Sequence, residues 1–325
     1  MRICLRRRDF IAALGGAAAW PLAAHAQRPA IPVIGWLSAL LDATSLAAFR
    51  KGLSETGYVE GRNLSIEYRP TDGNPNRLPE LAEDLVRRRV AVIVTPALAA
   101  TRVAKATTET IPIVFRTGND PVQYGLVASL NRPGGNVTGI YDINEELGGK
   151  RLGLLHDLLP AASHFALLKQ NSAASESMIV GIRAGAAAIG RSFEVITATN
   201  DREIEAAFGT MVQNRIDALL VQPQLLFFNR RVQLATLAAY HRLPAIYGWR
   251  EHAESGGLMS YGPDLPDQFR LTGIYVGRIL KGEKPSELPV MRPVKFRFVI
   301  NLHTARTLGI EVPPTLLAIA DEVIE

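Results

Sequence analysis

The chain has 325 residues, 47% of them hydrophobic and 21% charged, with one cysteine and a formal net charge of +5. That composition excludes a disordered or collagen-like polymer, and a single cysteine excludes both a disulfide framework and a cysteine-rich zinc module. A basic chain suits an anionic partner such as nucleic acid only if the positive charge is spread over the folded body, and here much of it sits at the start.

Arg2, Arg6, Arg7 and Arg8 precede an Ala/Gly-rich apolar stretch from Phe10 to Ala24, and Ala24-His25-Ala26 supplies the small-x-small pattern at which export signals are cut. The stretch is shorter than the roughly 20 residues that span a bilayer as a helix. Arg7-Arg8-Asp9-Phe10-Ile11 also resembles the twin-arginine signature. Residues 1–26 are therefore expected to be a cleaved export signal, with the twin-arginine route preferred over the general secretory route as the alternative. Its removal takes Lys+Arg from 36 to 32, Asp+Glu from 31 to 30 and the net charge from +5 to +2. Cys4 leaves with it, so the remaining body is thiol-free, which suits an oxidising compartment. Nucleic acid is not an expected partner.

From Ile31 onward, short β-branched runs alternate with helical periodicity. Ile31 to Leu37 reads as a buried strand, and Leu46, Phe49 and Leu53 mark one face of a helix. Strands follow over 63–68, 91–95, 111–115 and 137–141, with helices over 78–88, 99–108 and 121–130 between them. A second series starts near Asn144, with strands over 165–168, 193–197, 218–221 and 244–247 and helices marked by Leu152, Met178, Ile204 and Arg231 to His241. This alternation implies βαβ units and two parallel sets, five strands in the first series and four in the second, hence two lobes. The segment from Gly257 to Glu325 fits neither series: it carries a helix with Phe269, Val276 and Leu280 on one face, a Pro/Lys-rich loop, a strand over 296–300 and a short final helix.

Motifs of nucleotide, hydrolytic and zinc chemistry are absent: there is no G-x-S-x-G, Walker loop, H-E-x-x-H or strand-following G-x-G-x-x-G. His156, His164, His241, His252 and His303 lack ligand spacing. No catalytic residue, metal or cofactor is therefore expected. In open parallel sheets, ligands sit beyond the carboxyl ends of the strands, where helix N-termini offer free N–H groups. The candidates for ligand contact are accordingly Ser38, Thr95, Asp120, Tyr141, Asn144, Gln222, Tyr247, Arg250 and Tyr261, with Trp36 and Trp249 nearby. Ser38, Thr95 and Asp120 also suit helix N-caps. Arg250 is the cation expected to meet a ligand carboxylate. The set favours a small, partly apolar ligand held by a few polar groups.

Five stretches together carry a family resemblance: Gly35-Trp36-Leu37-Ser38, Gly118-Asn119-Asp120-Pro121-Val122, Arg132-Pro133-Gly134-Gly135-Asn136-Val137-Thr138-Gly139, Leu243-Pro244-Ala245-Ile246-Tyr247 and Gly256-Gly257-Leu258-Met259-Ser260-Tyr261-Gly262. In this order, the chain resembles the ABC-transporter substrate-binding family related to tryptophan/tyrosine-binding lipoproteins. The resemblance implies a type I periplasmic binding protein: two Rossmann-like parallel-sheet lobes joined by a three-crossing hinge and closing on a ligand between them. It implies a first lobe of residues 27–142 plus 257–293 and a second of 143–256 plus 294–325. No lipobox follows Cys4, so a soluble periplasmic form is expected. The implied function is capture of a small solute, aromatic or amino-acid-like, for ABC permease subunits in the inner membrane, with the protein a monomer and not an enzyme. The alternative is a periplasmic sensor of the same fold that presents its ligand to a membrane receptor.

Overall fold

The computed structural model of the chain describes residues 31–39, 42–170 and 176–325, so the expected export segment over residues 1–26 lies outside the described residues. The first sheet is built from β1 (Val33–Ser38), β2 (Ser65–Pro70), β3 (Val92–Thr95), β4 (Ile113–Thr117) and β5 (Val137–Tyr141), all parallel, in the order β2-β1-β3-β4-β5. Side chains alternate faces along a strand, and in buried parallel strands both faces must be apolar. Thus Val92 and Val94 join Ile34, Trp36 and Phe49 in one layer, while Ile93 joins Leu37, Leu85 and Phe115 in the other.

The helices of this lobe are α1 (Ala43–Glu55), α2 (Leu78–Arg87) and α3 (Leu98–Thr107). Asp42 starts α1 by accepting the Ser45 N–H at 2.7 Å, a side-chain cap on an orphan donor. The helix expected over 121–130 is not formed. Asp120 Oδ1 accepts from the N–H groups of Val122 and Gln123 at 2.8 and 3.2 Å. The single turn it caps ends at Gly125, whose φ of +65° reverses the chain.

The second sheet has seven strands: β6 (His164–Lys169), β7 (Ser192–Thr197), β8 (Ala218–Val221), β9 (Ala245–Tyr247), β10 (Met259–Pro263), β11 (Phe296–Asn301) and β12 (Glu322–Ile324), in the order β12-β11-β10-β9-β8-β6-β7. Two points correct the sequence expectation. The C-terminal segment adds three strands to the four of the second series, of which only the one over 296–300 was expected, and β10 and β11 run antiparallel. Helices α4 (Gly148–Leu158) and α5 (Glu176–Ala188) pack on one face, and α6 (Asp201–Gln213) and α8 (Arg231–Tyr240) on the other. The short helices α7 (Leu225–Asn229) and α9 (Arg250–Glu254) follow β8 and β9 directly.

The chain passes between the lobes three times. The first passage runs from Asp142 into the 3-10 turn Asn144–Leu147. The second follows Pro263. The expected return to the first lobe at Gly257 is displaced because β10 hydrogen-bonds within the second sheet, and only α10 (Leu265–Leu280) lies against α1. The third comes after Met291, which first lies along β5: the Met291 N–H donates to the Gly139 carbonyl at 3.0 Å and its carbonyl accepts from the Tyr141 N–H at 2.9 Å.

Helices α1 and α10 meet at glycines. A Cβ at Gly52 would fall inside the backbone of Arg270, one at Gly273 inside the backbone of Phe49, and one at Gly277 inside the Thr56 side chain. The two backbones can approach this closely only without those carbons. Gly273→Val is therefore expected to cost about 3 kcal/mol or more, because it forces the helices apart rather than filling a gap. Urea unfolding of the variant checks this, and a loss below about 1 kcal/mol would mean that the helix pair yields easily.

Candidate functional site

Between the lobes, at the carboxyl ends of β1, β3, β4 and β8, lies a cavity of about 420 Å³. Its walls are aromatic: Trp36 and Phe269 come from the first lobe, and Phe228 and Trp249 from the second. The Trp36 and Phe269 rings stack at 6.0 Å, and Phe228 meets Trp249 edge-on at 5.4 Å. Trp249 and Phe228 share one apolar cluster with Trp36, Leu265 and Phe269, so the two lobes touch through hydrophobic surface. The indole N–H of Trp249 is buried there without a hydrogen-bond partner among the described residues. A buried donor left unpaired is costly.

Charge enters the lining through Arg116, Asp142 and Asp42. Arg116, on β4, donates from Nη2 to Asp142 Oδ2 at 2.7 Å and from Nε to Gln268 Oε1 at 2.6 Å. Its guanidinium also lies 5.6 Å over the Phe269 ring. Burial lowers the Arg116 pKa and raises that of Asp142 from their ordinary values, while their mutual attraction opposes both shifts. The pair thus places a buried dipole on the cavity floor. The first turn of α3 carries no side-chain cap, and Pro96, Ala97, Leu98 and Ala99 also line the cavity. Its free N–H groups favour a negative or carbonyl oxygen.

Of the nine residues singled out in the sequence, Ser38 and Asn144 line this cavity. Ser38 Oγ accepts from Trp36 Nε1 at 3.1 Å. Asn144 receives two donors from the fully buried Arg151, one at its carbonyl at 3.0 Å and one at Oδ1. The others are placed elsewhere. Thr95 is turned inward to the Thr101 hydroxyl at 2.9 Å, and Asp120 is committed to its own turn. The Tyr141 hydroxyl bonds Glu146 at 3.0 Å beneath Arg292. Gln222 accepts from the Gln170 N–H at 2.9 Å, although its neighbours Pro223 and Gln224 do line the cavity.

Tyr247 is fully buried behind the wall, stacked 4.7 Å from His252. Arg250 faces away, paired with Glu322 at 2.6 Å and also with Glu254, so the cation lining the cavity is Arg116. Tyr261 stacks on Phe296 at 6.2 Å, outside the lining. Arg116 carried a sequence signal that position after a strand does not capture: a charge inside the apolar run Ile113-Val114-Phe115-Arg116. Among the described residues, no group of acidic, histidine or cysteine side chains is arranged to hold a metal, and no helix is long and apolar enough to cross a membrane.

His252 supports the aromatic wall from behind, stacked between Tyr247 and Trp249. Burial pushes its pKa down to about 3. The folded chain therefore resists a proton that the unfolded imidazole accepts below about 6.5, and this residue's contribution to stability is lost as pH falls through that range. Between pH 6 and 4, wild type is expected to lose up to about 1.4 kcal/mol per pH unit more than His252→Phe. Denaturant unfolding at several pH values measures the difference, and parallel slopes would mean that His252 takes up a proton in the folded state.

Comparison with known proteins came to the same region of fold space. The family described as ABC transporter substrate binding protein matches residues 38–324. The tyrosine-binding protein of Clostridioides difficile (strain R20291) is 25% identical over 281 residues, covering 85% of this chain and 80% of that protein. Among solved structures, the ABC domain from Streptococcus pneumonia in complex with L-Trp superposes with a TM-score of 0.81 at 25% identity, covering 90% of this chain and 99% of that one. A conserved domain protein from Vibrio cholerae O1 biovar eltor str. N16961 gives the same TM-score of 0.81 at 27% identity, with 90% of this chain and 99% of that one covered. The fold is that of type I periplasmic binding proteins.

Proposed function

The chain belongs to the ABC transporter substrate binding protein family, and from that premise we propose that it is the periplasmic solute-capturing component of an uptake system, taking an aromatic, amino-acid-like solute between its lobes. The observation that carries this reading is the aromatic-walled cavity floored by the buried Arg116–Asp142 pair. An aromatic ring fits between Trp36 and Phe269 on one side and Phe228 and Trp249 on the other. Such walls reward a flat apolar group by burial and ring contact.

The polar end of the solute would meet the uncapped turn of α3 and the Arg116 guanidinium, both of which donate. An ammonium would meet the carboxylates of Asp142 and Asp42. Ser38 and Asn144 are the remaining polar contacts we assign to the ligand. Export by the twin-arginine signal, delivery of the closed form to inner-membrane permease subunits and a monomeric state complete the proposal. Closure would exclude water from the cavity by rotation about the three passages between lobes.

The test is a thermal-shift and fluorescence screen of residues 27–325 against L-tryptophan, L-tyrosine, L-phenylalanine and benzoate, with L-glutamate and glucose for contrast. A solute at a hundred times its dissociation constant stabilises the fold by about 2.7 kcal/mol. Tyrosine or phenylalanine is also expected to change the emission of Trp36 and Trp249, both of which line the cavity. Trp249→Ala removes one ring from the cavity wall and is expected to weaken binding of an aromatic solute about tenfold. A protein stabilised by glucose or glutamate and indifferent to every aromatic solute would overturn the assignment.

A further inference from the structure

The first passage between lobes is held from both sides by an arginine. On the cavity side, Arg116 bonds Asp142 in that passage and Gln268 just beyond the second one. In the second lobe, Arg151 on α4 bonds the same two passages. It donates from Nη1 to the Asn144 carbonyl at 3.0 Å, from Nη2 to Asn144 Oδ1, and from Nε to the Tyr261 carbonyl at 2.7 Å, just before the second passage. The two sets are linked, since the Asn144 N–H donates to Asp142 Oδ1 at 2.8 Å. Arg116 lines the cavity, whereas Arg151 is 1% exposed and does not.

We propose that Arg151 is a positioning residue that sets the angle between the lobes. Its planar fork ties Asn144 and the end of β10 into one block with the second lobe. Asn144 Nδ2 reaches the Gly248 carbonyl at 3.3 Å, and a Cβ at Gly262 would fall inside the Gly248 backbone, so β9 belongs to the same block. Within these two passages, bending is thereby confined to the short stretches between the arginines: Asp142 to Asn144, and Pro263 to Gln268. A ligand that contacts Arg116 and Asp142 pulls on the first-lobe end of both stretches, while Arg151 holds the other end. Arg151 therefore acts on ligand retention through the hinge and not through contact. Lysine keeps the charge but cannot reproduce a three-armed planar donor set.

The test uses the absence of cysteine from residues 27–325. Spin labels at Glu80→Cys in the first lobe and Ala206→Cys in the second, both exposed sites on helices, report the distance between lobes in wild type, Arg151→Lys and Arg151→Gln. The expected result is folded variants with native circular dichroism whose ligand-free distance distribution is broader or displaced. L-tyrosine, used as the probe solute, should dissociate at least fivefold faster from them. This kinetic arm rests on the proposed function. If wild type binds no L-tyrosine, that reading loses support, while the distance arm still decides the role of Arg151. Variants that fold with an unchanged distance distribution, or that do not fold at all, overturn the proposal in favour of a purely structural arginine.

Discussion

The buried ion pair between Arg116 and Asp142 is the constraint around which the rest of the molecule is arranged. Taking two charges out of water costs several kcal/mol per ion, and their attraction repays it only with good geometry and further hydrogen bonds. Here that support comes from two separate stretches of chain: Gln268 and the Phe269 ring beneath the guanidinium, both on α10, and the Asn144 N–H in the first passage. None of these partners is close to Arg116 in sequence. The pair is stable only when β4, the first passage and the returning helix are all in place, so the cavity floor and the hinge are assembled by one interaction.

Glycine supplies the complementary constraint. The α1/α10 contact brings the returning helix against the first lobe, and Gly248 and Gly262 let β9 and β10 converge on Asn144. In both places a backbone carbonyl occupies the space a Cβ would need, so close approach is bought with side-chain volume. The aromatic side chains then fill what lies beyond, and the cavity is the remaining volume between two sets of strand ends.

Much of the fold was legible in the sequence because buried parallel strands carry continuous β-branched runs that stand out from helical periodicity. The failures have local causes. Residues 121–130 contain apolar spacing suited to a helix, but Gly125 reverses the backbone after one turn. The strand Met259–Pro263 is five residues long and holds a glycine and a proline, too little to read as a strand without its neighbours. The cavity lies at strand ends, yet seven of the nine residues singled out there do not line it. Side chains alternate, so Ser38 points into the cavity, while Thr95 turns back towards α3 and Pro96 lines the wall. Arg116 and Arg151 show what that rule lacks. Each is a charge at a position whose neighbours are core, on a buried strand in one case and on the Leu154, Leu155 and Leu158 face of a helix in the other. Such a charge needs partners from distant segments, which makes it a marker of where segments meet.

The stretch that lies along β5 has a consequence for the order of events during synthesis. Thr138 Oγ1 donates to the Leu288 carbonyl at 2.7 Å, the Val290 N–H donates to the Leu130 carbonyl at 2.7 Å, and Met291 bonds the strand itself. Until residues near 290 have left the ribosome, the outer edge of the first sheet exposes unpaired backbone groups, and α1 lacks its partner helix. Pairings this distant in sequence make for slow folding, and an open strand edge invites association with other chains. The first sheet is therefore completed only when the last tenth of the polypeptide arrives.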